Sequence, residues 1–149
     1  MLLYFAAPLF NASELAFNAR LAEAIEQLGF EVFLPQREGL ELIPDLKCAG
    51  YDTVAETIFT LDWDTVRACD VLLCILDGRV PDEGVAVEIG LGYADRFHNK
   101  PDRHLIGYAT QDFHVFGEGL NPMLAGALDE IYGDEDSLLE RLRSIKDAS

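Results

Sequence analysis

Hydrophobic and polar residues follow two different periods along the chain. Short, unbroken apolar runs such as LLYFA (residues 2–6) and VLLCIL (residues 71–76) have the length and composition of buried β-strands. The segments between such runs are longer, and their apolar residues recur every three or four positions, which is typical of helices with one buried face. The alternation of the two patterns predicts strand–helix–strand units, which build a parallel sheet.

The same patterns give the bounds of the predicted elements. Strands are expected at LLYFA, FEVFLP, VLLCIL, HLIGYA and EIY, and helices at residues 11–29, 52–68, 83–99, 122–128 and 134–148. Asn11 and Glu14 have the spacing of a capping box at the start of the first helix, and Gly29 is a typical helix end. Residues 36–51, which follow Pro35, are expected to form a long loop.

We therefore expect the whole chain, residues 1–149, to form a single α/β domain. Its predicted core is a doubly wound, flavodoxin- or Rossmann-like parallel sheet of five strands flanked by helices. The binding site of such a sheet lies beyond the carboxyl ends of its strands. The segments expected to meet there are YFAAPLF, FLPQREG, CILDGRVPDEG and the loop before GEGLNPM.

Composition and charge narrow the classes of function. The chain has 27 Asp and Glu against 11 Lys and Arg, a formal net charge of −16, and such a field repels nucleic acid. No apolar run approaches the roughly 18 residues that cross a membrane, and the apolar start lacks the basic residues of a signal peptide. Three cysteines, an odd number without a CxxC pair, are typical of a reduced cytoplasmic protein.

The sequence lacks the common cofactor motifs. No GxGxxG follows the first predicted strand, and no GxxxxGK[ST] phosphate loop occurs. The histidines and cysteines do not have the spacing of metal ligands. We expect neither a cofactor nor a metal ion.

A lone carboxylate in PDEGVAVEIGLGYA (residues 81–94) is the main candidate for chemistry. Glu88 lies in a predicted apolar helix, close to Gly90 and Gly92. Glycine inside a helix costs about 1 kcal/mol relative to alanine, so the two glycines indicate that a neighbour packs closely there. Glu88 either points to water beside that contact or acts as a functional carboxylate, and the local pattern favours neither interpretation.

Four segments together resemble the nucleoside 2-deoxyribosyltransferase family. They are YFAAPLF near the start, LDWDTVRACDVLLCILDG in the middle, PDEGVAVEIGLGYA after it, and LNPM late in the chain. The resemblance extends over about residues 3–125. It implies an enzyme that exchanges the base of a 2′-deoxynucleoside for a free purine or pyrimidine base. It also implies a homo-oligomer whose subunits share their sites.

The resemblance assigns three residues to catalysis. Glu88 becomes the nucleophile, since a carboxylate below the anomeric carbon can trap the oxocarbenium-like cation covalently. Tyr4 becomes the residue whose hydroxyl holds that carboxylate, the alternative being a tyrosine of the core. Asp62 becomes the proton donor and acceptor for the base, whereas Asp64, two positions later, is interpreted as a solvated helix residue.

The resemblance also assigns residues to substrate binding. Asp82 corresponds to the acid that accepts a hydrogen bond from the 5′-hydroxyl, and it could equally be an acid at a helix N-terminus. Asn121 corresponds to an asparagine that enters the site of a neighbouring subunit, and its alternative is a helix cap before Pro122. Gln36 corresponds to a glutamine that contacts the base edge, and Phe10 belongs to the same substrate-binding set. The end of the chain, SIKDAS, differs from family members that use a C-terminal group near the base.

Two other functions are compatible with the sequence. A nucleoside 5′-monophosphate N-glycosidase would use water as acceptor and would need groups that bind a phosphate dianion. PDEG has a carboxylate in that place, although Arg79 is close by. A non-catalytic module that senses a nucleoside is the second alternative, and it would not need Tyr4, Asp62 and Glu88 together.

Overall fold

The computed structural model describes residues 1–39, 50–78, 80–110 and 119–148. Five strands lie in these parts of the chain: β1 (Leu2–Ala6), β2 (Glu31–Phe33), β3 (Val71–Ile75), β4 (His104–Tyr108) and β5 (Glu130–Tyr132). The described helices are α1 (Ala12–Glu26), α2 (Tyr51–Ala68), α3 (Glu83–Arg96), α4 (Pro122–Ala127) and α5 (Glu135–Asp147). Strands and helices alternate as the hydrophobic pattern predicts.

All five strands pair in parallel in the order β2-β1-β3-β4-β5. This is the strand order of flavodoxin-like folds, and it confirms the predicted doubly wound sheet. The order of the strands reverses between β1 and β3, where the connections leave toward opposite sides. A crevice for a ligand is expected at that switch point, beyond the carboxyl ends of the two strands.

Each face of the sheet carries its own apolar layer. On one face, Leu3 and Phe5 of β1 pack in a cluster with buried residues of α1 and α5. On the other face, Tyr4 and Ala6 pack in a cluster with buried residues of α2, α3 and α4. Successive residues of a strand point to opposite faces, so an unbroken apolar strand is buried on both sides.

The helix boundaries follow from local sequence signals. Asn11 caps α1, accepting hydrogen bonds from the backbone N–H groups of Ser13 and Glu14, while the Glu14 carboxylate accepts one from the backbone N–H of Asn11. This confirms the predicted capping box. Gly29 has φ +89°, in the left-handed region that glycine adopts without strain.

The predicted loop at residues 36–51 differs in part from the structure. Residues 35–39 are helical, Tyr51 is already the first residue of α2, and residues 40–49 lie outside the described parts of the chain. Pro35 is the first helical residue, where a missing backbone N–H does not matter. The proline that suggested a loop therefore begins a helical turn.

Close packing between α3 and the sheet explains one of the two helix glycines. A Cβ atom at Gly92 would lie 2.6 Å from Cδ2 of Leu72, so only glycine allows α3 to approach β3 this closely. A Cβ atom at Gly90 would meet nothing within 4 Å. Since Gly92 faces the sheet, the orientation of α3 is set, and with it the direction in which Glu88 points.

A buried arginine joins α2 to α3 at the amino ends of the strands. Arg103, which is 2 % exposed, donates to the backbone carbonyls of Arg67 (2.6 Å), Cys69 (3.2 Å) and Gly92 (3.0 Å). It also donates to the buried carboxylate of Asp95 at 2.9 Å. These bonds connect the last turns of the two helices, and each helix carries a candidate catalytic carboxylate further along.

The cysteines and the helices bear on two other predictions. Cys69 and Cys74 are buried free thiols, and Cys48 lies outside the described residues. Among the helices of the described ranges, none combines the length and the apolar character that a membrane crossing requires.

Candidate active site

The centre of the candidate site is a hydrogen bond between two residues that are 84 positions apart. The Tyr4 hydroxyl, on β1, donates to Oε1 of Glu88, on α3, at 2.6 Å. β1 is one of the two strands at the switch point, and α3 follows the other, β3. The pair therefore lies where the fold predicts a ligand crevice.

Tyr4 is held as a neutral donor. Its side chain is buried in the apolar layer below α3, and its ring stacks on Phe33 with 5.3 Å between the ring centroids. Burial, together with the negative charges of Glu88 and Asp62, raises the pKa of Tyr4 far above its ordinary value. The hydroxyl therefore keeps its proton near neutral pH and donates a hydrogen bond to the Glu88 carboxylate.

Glu88 is a half-buried carboxylate between buried neighbours. Val85 and Ile89 on the same helix belong to the apolar layer, so Glu88 leaves α3 at the border of that layer. Burial raises the pKa of Glu88 to about 7, and the charges of Asp62 and Asp82 act in the same direction. The hydrogen bond from Tyr4 opposes this shift, because it stabilises the ionised form.

Asp62 joins the pair from α2. Burial raises the pKa of Asp62 to about 6, and its interaction with the Tyr4 hydroxyl acts in the opposite direction. Asp64 is exposed on the same helix. The structure thus brings Asp62, and not Asp64, to the Tyr4–Glu88 pair, in agreement with the distinction made from the sequence.

Asp82 borders the site at the start of α3. Its carboxylate caps the helix by accepting a hydrogen bond from the backbone N–H of Val85 at 3.1 Å, as the helix-terminus interpretation predicts. Its charge also acts on Glu88, so Asp82 is close to the Tyr4–Glu88 pair as well. Both interpretations of Asp82 thus remain compatible with its position.

Two carboxyl groups, those of Asp62 and Glu88, therefore interact with one tyrosine hydroxyl, and a third, that of Asp82, lies near Glu88. Burial raises the pKa of Asp62 to about 6 and that of Glu88 to about 7, so this pair retains part of its protons near neutral pH. A partly protonated carboxyl beside an ionised one can supply an acid and a nucleophile in the same site. In the described parts of the chain, no group of three or more His, Cys, Asp or Glu has the arrangement of a metal site.

The predicted substrate-binding residues lie further out. Asn121 is exposed and caps α4, accepting a hydrogen bond from the backbone N–H of Met123 at 2.9 Å, and α4 packs against α3. Phe10 is 75 % exposed in the segment after β1. Gln36 lies after β2, and its side-chain amide is hydrogen-bonded to Asn18 and to the backbone carbonyl of Leu15. The roles assigned to these residues stay predictions.

Sequence reasoning missed two residues that support this region. Phe33 carries the ring on which Tyr4 stacks, and its position in a short apolar strand contains no signal for that contact. Asn18 is 2 % exposed although it is polar. It could have been noticed as a polar residue on the apolar stripe of the first helix, three positions before Leu21 and four before Ala22.

The chain is similar to a known protein family over most of its length. The sequence profile described as nucleoside 2-deoxyribosyltransferase matches residues 3–123. No curated protein has a significant sequence match to the chain.

Three solved structures illustrate the likeness of the fold. A conserved protein from Enterococcus faecalis is 27% identical with a TM-score of 0.72, over 96% of this chain and 97% of its own. A 2-deoxyribosyltransferase from Bacillus psychrosaccharolyticus is 21% identical with a TM-score of 0.75, over 93% and 90% of the two chains. A CMP N-glycosidase from Clostridium botulinum is 19% identical with a TM-score of 0.54, over 95% and 98%.

The similarity to the last two structures concerns the fold alone, because their sequence identities with this chain are only 21% and 19%. The family profile goes further, since it extends over most of the sequence and contains the segments of Tyr4, Asp62 and Glu88. Its match agrees with the resemblance found in the four sequence segments. The chain belongs to the nucleoside 2-deoxyribosyltransferase family.

Proposed function

We propose that the protein transfers 2-deoxyribose between nucleobases through a covalent glycosyl-enzyme on Glu88. The observation that carries this proposal is the 2.6 Å hydrogen bond from the buried Tyr4 hydroxyl to Glu88, with Asp62 beside it. A binding module would gain nothing from a half-buried carboxylate that is held by a neutral donor and flanked by a second acid. A nucleophile needs such an arrangement, because its orientation and its protonation state must both be controlled.

In the first step, the Glu88 carboxylate bonds to C1′ as the C1′–N bond to the base breaks. The electron pair of that bond goes to the base nitrogen, and the proton of Asp62 neutralises the departing base. A pKa of about 6 for Asp62 leaves a useful fraction of the acid protonated near neutral pH. Because the Tyr4 hydroxyl occupies Oε1 of Glu88, Oε2 is the oxygen available for attack.

In the second step, an incoming base replaces the carboxylate. Its ring nitrogen attacks C1′, its proton returns to Asp62, and the bond between C1′ and Glu88 breaks. Two inversions at C1′ give net retention. The hydrogen bond from Tyr4 stabilises the carboxylate that is released, which makes Glu88 a better leaving group.

The charge of the site supports a neutral substrate. Asp82 would accept a hydrogen bond from the 5′-hydroxyl of the nucleoside. The three clustered carboxyls oppose a 5′-phosphate dianion, since like charges about 4 Å apart repel by about 4 kcal/mol at an effective dielectric constant near 20. Gln36 and Phe10 would contact the base, and Asn121 would reach the site of a second copy in a homo-oligomer. In the cell, such an enzyme would serve nucleoside salvage in the cytoplasm.

A base-exchange reaction tests the proposal. The protein is incubated with 2′-deoxyinosine and free adenine, and the products are separated by chromatography. Formation of 2′-deoxyadenosine by the native chain, and none by Glu88→Gln, is the expected result. A 2-fluoro-2-deoxynucleoside should leave a sugar ester on Glu88, detectable by mass spectrometry of the intact protein.

Two results would overturn the assignment. Cleavage of 2′-deoxyadenosine 5′-monophosphate as fast as that of the nucleoside, with water outcompeting added base, would indicate an N-glycosidase. Binding of nucleosides without turnover, and without an ester in the fluorosugar experiment, would indicate a sensing module.

A further inference from the structure

A buried side-chain amide links the segments that follow β1 and β2. Asn18 is 2 % exposed and lies on the face of α1 that otherwise carries apolar residues. Its Nδ2 donates to the backbone carbonyl of Pro8 at 2.9 Å and to Oε1 of Gln36 at 3.0 Å. Pro8 lies four residues beyond Tyr4, and Gln36 lies three residues beyond Phe33, which pairs with Tyr4 in the sheet. Both partners of Asn18 therefore lie at the carboxyl-end edge where the candidate site lies.

The direction of these hydrogen bonds is determined at both ends by the backbone. A backbone carbonyl can only accept, so the Asn18 group that faces Pro8 must be the NH₂ group. That NH₂ group also contacts Gln36, which must therefore present its oxygen. The Gln36 Nε2 then points to the backbone carbonyl of Leu15 and donates to it at 2.9 Å. The Gln36 amide has one orientation that satisfies all three contacts.

We propose that Asn18 is a positioning residue for base recognition, because, together with the Leu15 carbonyl, it holds the orientation in which the Gln36 amide presents its donor and its acceptor to the ligand. This inference rests on the proposed function, in which Gln36 contacts the base. After its contacts with Asn18 and Leu15, Gln36 retains one N–H and one oxygen lone pair. With the amide reversed, donor and acceptor would exchange places.

Such a reversal affects bases unequally. Adenine carries an amino donor at position 6, whereas hypoxanthine carries a keto acceptor there. A bidentate amide–base contact provides a discrimination of about 1–3 kcal/mol, which is a factor of about ten or more. A residue that helps to hold the orientation of Gln36 therefore influences the choice of base without contacting the base.

Asn18→Asp is the most direct perturbation. It keeps the shape of the side chain but replaces the donor NH₂ group with an oxygen, so Gln36 has to turn its own Nε2 toward the carboxylate. Asn18→Ala is the second variant, which leaves Gln36 without a partner on that side. Asn99→Asp is a matched control, because Asn99 also donates through its side-chain amide to a buried partner, Asp95, at the end of α3 remote from Glu88.

The experiment measures kcat/KM for adenine and for hypoxanthine as acceptors at pH 8, with the same deoxynucleoside donor for all variants. The ratio is kcat/KM for the base that the native enzyme prefers, divided by kcat/KM for the other base. In Asn18→Asp this ratio should fall about tenfold. Asn18→Ala should lower the ratio toward that of Gln36→Ala. In a Gln36→Ala background, neither change at Asn18 should alter the ratio further. Asn99→Asp should leave the ratio unchanged, whatever its effect on Tm.

The outcomes separate this inference from the proposed function. If base exchange persists, two results would overturn the positioning role of Asn18. One is a native ratio in both Asn18→Asp and Asn18→Ala. The other is a change in the ratio that is equal with and without Gln36. If the native chain exchanges no base, the proposed function fails, and calorimetric titration with the two free bases decides the role of Asn18. A tenfold change in the ratio of their Kd values supports it, and an unchanged ratio or no binding overturns it.

Discussion

Replacement of Tyr4 by phenylalanine tests how the site controls its protons. The change removes one oxygen from a buried ring that keeps its stacking partner, Phe33, so the fold should persist. The hydroxyl donates to Glu88 at 2.6 Å and lowers the pKa of both Glu88 and Asp62 against the effect of burial. Tyr4→Phe should therefore raise both pKa values.

The magnitude follows from the bond that is lost. A hydrogen bond to a charged group contributes about 1.5–3 kcal/mol, and 1.36 kcal/mol corresponds to one pKa unit. Starting from about 7 for Glu88, the pKa in the variant should lie about 1–2 units higher. At pH 7 the ionised fraction of Glu88 then falls from about one half to between about one tenth and one hundredth, and kcat/KM falls by about 5- to 50-fold.

The assay is the dependence of kcat/KM on pH, from about 5 to 9.5. Because Asp62 and Glu88 interact, the two limbs of the profile report the pair and not either residue alone. The whole profile should move to higher pH by about 1–2 units, so the variant regains much of its activity above pH 8. A matched control is Tyr132→Phe, which removes another tyrosine–glutamate hydrogen bond, to Glu130 at the edge strand β5.

Two results would refute the reasoning. A lower rate at every pH with an unmoved profile would mean that the hydroxyl orients Glu88 without controlling its protonation. A native rate and a native profile would mean that the hydrogen bond has no part in the reaction. A similar shift in Tyr132→Phe would show that the effect is not specific to the site.

Three further predictions concern the assembly, the substrate and the fold. Mixed oligomers of inactive Glu88→Ala and inactive Asn121→Ala subunits should regain activity if Asn121 acts in the neighbouring site, and a fully active monomer in sizing chromatography would contradict this. Asp82→Asn should lower kcat/KM for 2′-deoxyadenosine more than for its 5′-monophosphate, and an equal effect on both would remove the 5′-hydroxyl contact. Arg103→Ala leaves the buried Asp95 carboxylate without its buried partner, which typically costs about 3–5 kcal/mol, so Tm should fall by about 6–20 °C. A melting temperature within 2 °C of native would refute that estimate, and Arg143→Ala on α5 is the surface control.

The sequence by itself determined the elements whose signals are local. The capping box of Asn11 and Glu14 lies within four residues, and its hydrogen bonds form wherever that segment becomes helical. The apolar runs of β1 and β3 are recognisable because a strand covered on both faces needs apolar residues at every position. Alternation of such strands with helices favours a parallel sheet, since parallel neighbours need a long crossover connection, which is usually a helix.

Local signals were misleading where burial depends on the neighbours. Leu15 occupies the apolar stripe of α1, yet it is 36 % exposed, whereas Asn18 on the same helix is buried. Gly90 and Gly92 look alike in the sequence, but only Gly92 packs against β3. The periodicity of a helix indicates which residues share a face, and it contains no information about which part of that face another element covers.

The site itself is decided by the tertiary structure. Tyr4 and Glu88 are 84 positions apart and meet only because β1 and β3 are adjacent in the sheet. Asp62 and Asp64 are equivalent as carboxylates in the sequence, and they differ because α2 turns one toward the Tyr4 hydroxyl and the other toward water. Burial, which raises the pKa of both Asp62 and Glu88, is a property of the packed chain and not of any segment of it. A carboxylate has its ordinary acidity in an unfolded chain because water surrounds it, and only the packed sheet and helices remove enough of that water to change it.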